Sequence, residues 1–366
     1  MTPFARSAIS SRIYRVFIWK ASLEKFHGAI MNLISATEEI LDKQDLNQEK
    51  MESCMESIMS GSCSTDEIRN FLIALNQKGF TTDELVGAAF VMKSKSPKLE
   101  LNCKNNLDTC GTGGTGLHVF NCSSAAGIVA ASLGHQVTKH GNKGISSNSG
   151  SADFFAYQGA NIQHSNEKIE SILTASNFVF LFAPMHHPAM KFVMEARQSI
   201  PGKTIFNLLG PLTNPLSPRA QVIGLFSGEY LDRYAEAASK LGINRIAIVH
   251  GDDGCDEVSV FAKTQIVEMH EQNLRAWTFD PRDLDILHKD LCAVQVSNSQ
   301  ESSSLILEAF NGKDTPASNM IAINAAFAVR TATQISLEDA FFQAKASMRN
   351  GAALATLKKY VDATNT

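Results

Sequence analysis

The sequence predicts an α/β protein in two parts: a small all-helical N-terminal domain, and a large α/β domain whose central sheet is mostly parallel and flanked by helices. Three observations carry this. Helical apolar periodicity without strand patterns runs from Met31 to about Lys98. After Pro97 short apolar runs alternate with helical stretches, and from Met320 to Val361 the pattern is helical again. The chain has 366 residues, enough for two domains. With 44% hydrophobic and 19% charged residues it is an ordinary globular composition, not a disordered one. No apolar run is long enough to span a bilayer. A formal net charge of −4 argues against a mainly electrostatic nucleic-acid binder.

Residues 1–30 carry Arg6, Arg12, Arg15 and Lys20 before the first acid, Glu24, and are rich in serine. The composition is that of an organelle transit segment. The reading favoured here is a poorly ordered extension, or translation beginning at Met31, where a clean amphipathic pattern starts. Leu33, Ile34, Ile40 and Leu41 then recur at helical spacing. Ser64-Thr65-Asp66-Glu67 has the form of a capping box, followed by Ile68, Phe71, Leu72 and Leu75 on one face. Gly79 ends that helix and Thr81-Thr82-Asp83-Glu84 opens the next. Beyond Pro97, Phe178–Ala183, Ala220–Phe226 and Arg245–His250 read as buried strands, with Ala125–Leu133 and Tyr230–Leu241 as helices between them.

The seven cysteines are odd in number, scattered and without a CxxC pair. A disulfide framework and a structural zinc site are both excluded, which leaves reduced thiols in a cytoplasmic protein. His270-Glu271 lacks the second histidine of a zinc-binding HExxH helix.

Gly111-Thr112-Gly113-Gly114-Thr115-Gly116 satisfies G-x-G-x-x-G as a string. A dinucleotide fingerprint needs an acid about 20 residues on, and no Asp or Glu occurs from Thr109 to Ala152. Nor does Lys-Ser/Thr follow the last glycine, as a Walker loop requires. The physics still favours phosphate, because a glycine loop lets backbone N–H groups approach an anion closely. Asn121-Cys122-Ser123-Ser124 leads into a helix whose N-terminus favours negative charge. Lys139, His140 and Lys143 add cations or donors that no nearby acid in sequence cancels. Alone, each element is a surface turn or a cap; together they make an anion site.

His250-Gly251-Asp252-Asp253-Gly254-Cys255-Asp256-Glu257 follows a buried strand, at the strand end where open α/β sheets bind ligands. Alone such a turn is a solvated loop. Opposite a phosphate cradle, Asp256 and Glu257 suit magnesium, which takes one or two carboxylates plus substrate phosphates. Arg197 lies beyond Pro184-Met185-His186-His187-Pro188 and before Thr204–Pro215. An arginine on a helix usually faces solvent, but one aimed at a cleft would pair with a carboxylate.

The segments GTGGTG…NCSS, KHGNK…SS…GSAD, FLFAPMHHPAMK, TIFNLLGPLTNP and HGDDGCDEVS, in that order, resemble anthranilate phosphoribosyltransferase. The resemblance runs from about Met31 to the C-terminus. It implies transfer of the phosphoribosyl group of 5-phosphoribosyl 1-pyrophosphate to the amine of anthranilate, with release of pyrophosphate, in tryptophan biosynthesis. It also implies a Mg2+-dependent homodimer formed through the small domain, with the active site between the domains. It divides the chain into an extension (1–30), a helical domain (31–100) joined by helices around 188–216, and a phosphoribosyltransferase domain (101–366).

By the same resemblance, phosphoribosyl pyrophosphate is held by Gly111, Gly114, Thr115, Val119, Asn121, Cys122, Ser123, Ser124, the loop Lys139, His140, Gly141, Asn142, Lys143, Gly144, Ile145, Ser146, Ser147, and Ser151. Anthranilate is held by Gly111, Asn142 and Arg197, and the metal by Ser123, Asp256 and Glu257. His140 is the one candidate for proton transfer, with a loop-packing histidine as its bland alternative. Thr115, Val119, Lys143 and Gln198 stand where the family usually carries Asp, Thr, Arg and Arg. Competing functions are a pyrimidine nucleoside phosphorylase and a non-catalytic nucleic-acid-binding relative; the magnesium carboxylates, the segment around Arg197 and the net acidity argue against both.

Overall fold

The computed structural model describes residues 33–366 apart from 98, 100, 102–104, 145–147 and 272. The expectations for residues 1–30 and for a start at Met31 fall outside the described residues.

Four helices open the fold: α1 (Leu33–Leu41), α2 (Gln48–Met59), α3 (Thr65–Lys78) and α4 (Thr82–Ser94). Both capping boxes form, Ser64 with Glu67 and Thr81 with Glu84. A cap of this kind contributes about 1 kcal/mol. The α1 pattern differs from expectation in which residues face inward. Leu33, Ala36 and Ile40 are buried, while Ile34 and Leu41 are 49% and 56% exposed. Their spacing of seven puts those two on the same outward stripe. Glu84 is fully buried and more than a cap. Its carboxylate accepts from Thr81 N–H at 2.9 Å and Leu46 N–H at 3.0 Å, and pairs with Lys78 at 3.0 Å. A buried carboxylate is tolerable only when satisfied in this way.

The α/β part holds one seven-stranded sheet in the order β3-β2-β1-β4-β5-β6-β7. β1 (Leu107–Gly111), β2 (Val137–Gly141), β3 (Phe178–Phe182), β4 (Ala220–Gly224) and β5 (Arg245–Gly251) are parallel. β6 (Thr264–His270) and β7 (Asn273–Phe279) finish it as an antiparallel hairpin. β3 stops at Phe182 because Ala183–His186 turns helical, with Pro184 in its first turn. The chain leaves β1 towards β2 and β3, then returns to β4 on the other side. The carboxyl ends of β1 and β4 therefore flank the reversal of direction at which such sheets bind ligands.

Side chains alternate across the sheet, as the pleat demands. Leu107, Val222, Ala247 and Val249 join the core beneath α5 (Cys122–Ser132), α12 (Ser299–Phe310), α13 (Pro316–Thr333), α14 (Leu337–Arg349) and α15 (Ala352–Asn365). Cys110, Ile223, Ile246 and Ile248 face the other way, into a core shared with α10 (Ile205–Leu212), α11 (Leu231–Lys240) and the first four helices. Val193, Ala196 and Ile200, within and beside α9 (Met194–Gln198), belong to that core too. Polar links cross the same seam. Asn76 Nδ2 donates to the Lys203 carbonyl at 2.6 Å, and Arg69 Nε to Ser199 Oγ at 2.8 Å. The exposed pair Lys240–Asp83, at 2.7 Å, contributes at most about 1 kcal/mol, so apolar burial dominates the seam.

Two glycines fix how the chain after β5 meets the sheet. A Cβ on Gly224 would overlap the backbone carbonyl of Asp256, and one on Gly111 would stand 2.6 Å from Asp256 Oδ2. Gly224→Ala is expected to lower stability by about 1–3 kcal/mol through overpacking. Urea unfolding would register it as a reduced midpoint at unchanged slope.

Candidate active site

A cavity of about 680 Å3 lies over the carboxyl ends of β1, β2 and β5, between the sheet and the helical side. Its floor is the glycine loop. Thr112 Oγ1 anchors that loop by accepting from Phe226 N–H at 2.9 Å, and Gly113, Gly114 and Gly116 have φ values of 64°, 76° and 76°. Only glycine occupies that region without strain, so the floor is backbone by necessity.

The run of sequence without acids does not make an acid-free pocket. Asp256 and Glu257 enter from the turn after β5. The Gly113 N–H donates to Asp256 Oδ2 at 2.8 Å, and the Ser123 N–H to Glu257 Oε1 at 3.0 Å. Donors expected to be open to an anion are thus partly shared with two carboxylates. Both carboxylates are pushed upward in pKa. Burial is the main cause for each, and for Glu257 the neighbouring Asp256 charge adds to it. Lys139, itself buried, donates to the Thr109 carbonyl and to Ser123 Oγ at 3.3 Å, and so lies beside the same pair.

His140 is buried against His187, with ring centroids 5.1 Å apart. Its pKa is driven well below the ordinary histidine value, first by burial and then by His187 and His186. The neutral ring places Nδ1 3.2 Å from the Gly210 carbonyl, which assigns the proton there and leaves Nε2 as an acceptor. Nε2 has no partner among the described residues. Asn121 is tied down: its Oδ1 accepts from Ser149 Oγ and Ser302 Oγ, both at 2.7 Å.

Across the cavity stands Arg197, on α9. It is half-buried, 5.5 Å from the centre of the Phe206 ring, and in no ion pair among the described residues. Burial lowers its pKa. A guanidinium held like this is poised to take a planar carboxylate in two parallel hydrogen bonds.

Gly111, Gly114, Thr115, Val119, Asn121, Ser123, Lys139, His140, Gly141, Asn142, Lys143, Gly144, Ser151, Arg197, Asp256 and Glu257 all line this one cavity. Cys122 and Ser124 do not. Both are buried in the first turn of α5, where the Cys122 thiol turns inward to the Met320 carbonyl at 3.7 Å. Ile145, Ser146 and Ser147 lie outside the described residues. Sequence reasoning missed His118, His187, Phe206, Asn207 and Pro211, which also line the cavity. The strings HHP and NLLGP already stood out, but nothing local assigns their side chains to the cavity.

A family model described as the glycosyl transferase family a/b domain matches residues 103–354, and one described as the helical bundle domain of the same family matches residues 34–96. The anthranilate phosphoribosyltransferase of Hydrogenovibrio crunogenus is 36% identical over 336 residues, covering 91% of this chain and 99% of its own length. That of Aquifex aeolicus is 36% identical over 328 residues, covering 89% and 96%. Among solved structures, the anthranilate phosphoribosyltransferase of Thermus thermophilus aligns with a TM-score of 0.84 at 31% identity, over 90% of this chain and 99% of that one. The Saccharomyces cerevisiae enzyme in complex with PRPP and Mg gives 0.84 at 26% identity, over 91% and 98%. With the cavity at its sheet ends and a match along nearly the whole of these relatives, the chain belongs to the anthranilate phosphoribosyltransferases of the glycosyl transferase family.

Proposed function

We propose that this chain joins the amine of anthranilate to C1 of 5-phosphoribosyl 1-pyrophosphate and releases pyrophosphate, in tryptophan biosynthesis. One observation carries the reading. The cavity sets a glycine cradle and two half-buried carboxylates on one side against the half-buried Arg197, in no ion pair among the described residues, on the other. Those are complementary to a pyrophosphate–metal group and an aromatic carboxylate.

The carboxylates fit magnesium. Asp256 and Glu257 are adjacent, half-buried and held upward in pKa by desolvation, and Ser123 Oγ stands close by through Lys139. Among the described residues no cluster of three or more His, Cys, Asp or Glu surrounds an ion position. That suits a metal completed by substrate phosphates and water rather than an all-protein cage. Magnesium, when bound, offsets the negative charge that develops on the departing pyrophosphate.

The residues do the rest by placement. The N–H groups and hydroxyls of residues 111–116, 118–121, 123, 139–144 and 149–151, which line the cavity, hold the phosphoribosyl pyrophosphate, with Gly111, Gly114, Asn121, Ser123 and Lys139 at its pyrophosphate. Arg197 and Asn142 hold anthranilate so that its amine faces C1. The C1–O bond to pyrophosphate breaks as the C1–N bond forms, and the amine then loses a proton. Neutral aniline nitrogen is already nucleophilic, so orientation and leaving-group stabilisation dominate. His140, whose neutral Nε2 has no partner among the described residues, is the group we assign to take that proton late. Thr115, Val119 and Lys143 weaken the cradle relative to the family pattern without removing it. The working division is a helical unit over 31–100, joined by the segment around 188–216, acting against residues 101–366.

Ile34, Leu41 and the 53% exposed Phe90 give the helical unit an apolar outer surface, which supports a homodimer formed through it. Free cysteines at Cys54, Cys63, Cys110, Cys122, Cys255 and Cys292 favour a cytoplasmic enzyme, and no nucleic-acid partner is called for. Among the described residues no helix is long and apolar enough to cross a membrane.

Anthranilate fluorescence in the presence of phosphoribosyl pyrophosphate tests the reaction; its magnesium-dependent loss is expected. Arg197→Gln is expected to raise the anthranilate KM at least tenfold, as one charge-assisted pair is about 1.5–3 kcal/mol, with the phosphoribosyl pyrophosphate KM little changed. Asp256→Asn is expected to cut kcat by about a hundredfold or more while the circular dichroism spectrum stays the same. A third outcome concerns pH. A carboxylate whose pKa is raised on folding contributes stability below its ordinary value of 4.5 and loses it as pH rises above that. Without magnesium, the unfolding midpoint should therefore fall as pH rises from about 4.5 towards neutrality, and added magnesium should flatten that fall.

A further inference from the structure

We infer that Lys203, which leads into α10, is a pyrophosphate-binding residue that reaches the glycine loop from the helical side. This rests on the reaction proposed above.

Lys203 lies against the loop itself. A Cβ on Gly114 would stand 3.1 Å from the Lys203 Cε, so the missing side chain at Gly114 is what admits the lysine stem. Its ammonium sits 3.8 Å from the centre of the Phe226 ring, and Phe226 is the residue whose N–H donates to Thr112 of the same loop. The charge is therefore stationed over the back of the cradle. It is in no ion pair among the described residues. Its nearest acidic influence is Asp256, which opposes the lowering of its pKa by burial. Gly114 and Asp256 both line the cavity, and Lys203, which does not, packs against Gly114.

A cation–π contact at a partly exposed site is weak beside a charge-assisted contact to phosphate. Phe226 is thus a resting place that a polyanion on the loop would outbid. The stem is flexible, and Gly114 leaves its path clear. The Lys203 carbonyl, meanwhile, accepts from Asn76 on α3. One residue then ties the helical unit through its backbone and the pyrophosphate through its side chain. Thr115 makes such a cation more valuable to the anion, because the loop carries no acid of its own to compete for it.

The test uses the full chain with Lys203→Met and Lys203→Arg. Magnesium with inorganic pyrophosphate is titrated by calorimetry, and KM is measured separately for each substrate. Lys203→Met is expected to weaken pyrophosphate and raise the phosphoribosyl pyrophosphate KM about tenfold, with the anthranilate KM within twofold. Lys203→Arg should restore most of both. Pyrophosphate affinity within twofold of wild type in Lys203→Met would overturn the assignment. Calorimetry needs no turnover, so a wild-type chain that leaves anthranilate unconsumed would refute the reaction while Lys203 is still judged by pyrophosphate affinity alone.

Discussion

Much of this molecule hangs on a close backbone approach. The turn after β5 presses against the ends of β1 and β4 so tightly that Gly111 and Gly224, paired in register, leave no room for a side chain. From that contact Asp256 reaches Gly113 and Glu257 reaches Ser123. The glycine loop, the α5 N-terminus and the carboxylate pair are consequently one mechanical unit, although more than a hundred residues separate the carboxylates from the other two. The electrostatics follow from the same packing. Two adjacent carboxylates are taken out of water together, with one buried lysine beside them, and a divalent ion with its phosphates is the natural complement.

The other half of the cavity depends on a different principle. Arg197 and Asn207 are held by elements that are themselves shared between the helical unit and the sheet, and His140 on β2 meets them through the Gly210 carbonyl. α9 and α10 bury their apolar faces in the helical core, yet expose Arg197, Asn207 and Gly210 to the cavity. Cavity walls of opposite chemistry are therefore carried on separate packing units, one lined by the glycine loop and the carboxylates, one by Arg197, Phe206 and Pro211.

How much of this was legible in the sequence differs by element for physical reasons. β3, β4 and β5 announce themselves because they are covered on both faces and so read as apolar runs. β1 and β2 do not. Asp108, Thr109, Thr138, Lys139 and His140 are buried polar residues, and what satisfies them is remote: Asn214 Nδ2 donates to Asp108 Oδ2 at 2.9 Å and to the Thr138 carbonyl at 2.8 Å. No local pattern encodes a partner some 75 or 105 residues away. The β6–β7 hairpin escaped because its turn holds Glu271 at φ 57° rather than the usual Asn or Gly. In the site, the glycines, lysines and paired carboxylates were legible through their chemistry. His187, Phe206 and Asn207 were not, because residue type alone does not say which side of a helix faces a cavity.

The shared core of the helical unit has a consequence for synthesis. Its four helices are complete at Ser94, but their apolar surface is finished by Val193, Ala196, Ile205, Leu208 and Leu209. Those residues leave the ribosome roughly 100–115 positions later, on the order of ten seconds at about 5–20 residues per second. During that interval the nascent helices carry an uncovered greasy face with no native cover yet translated. The helical unit therefore waits for a later stretch of chain before it can close, as the α/β core waits for Leu357 and Tyr360, and its exposure to chaperones and to neighbouring nascent chains is written into the order of the polypeptide.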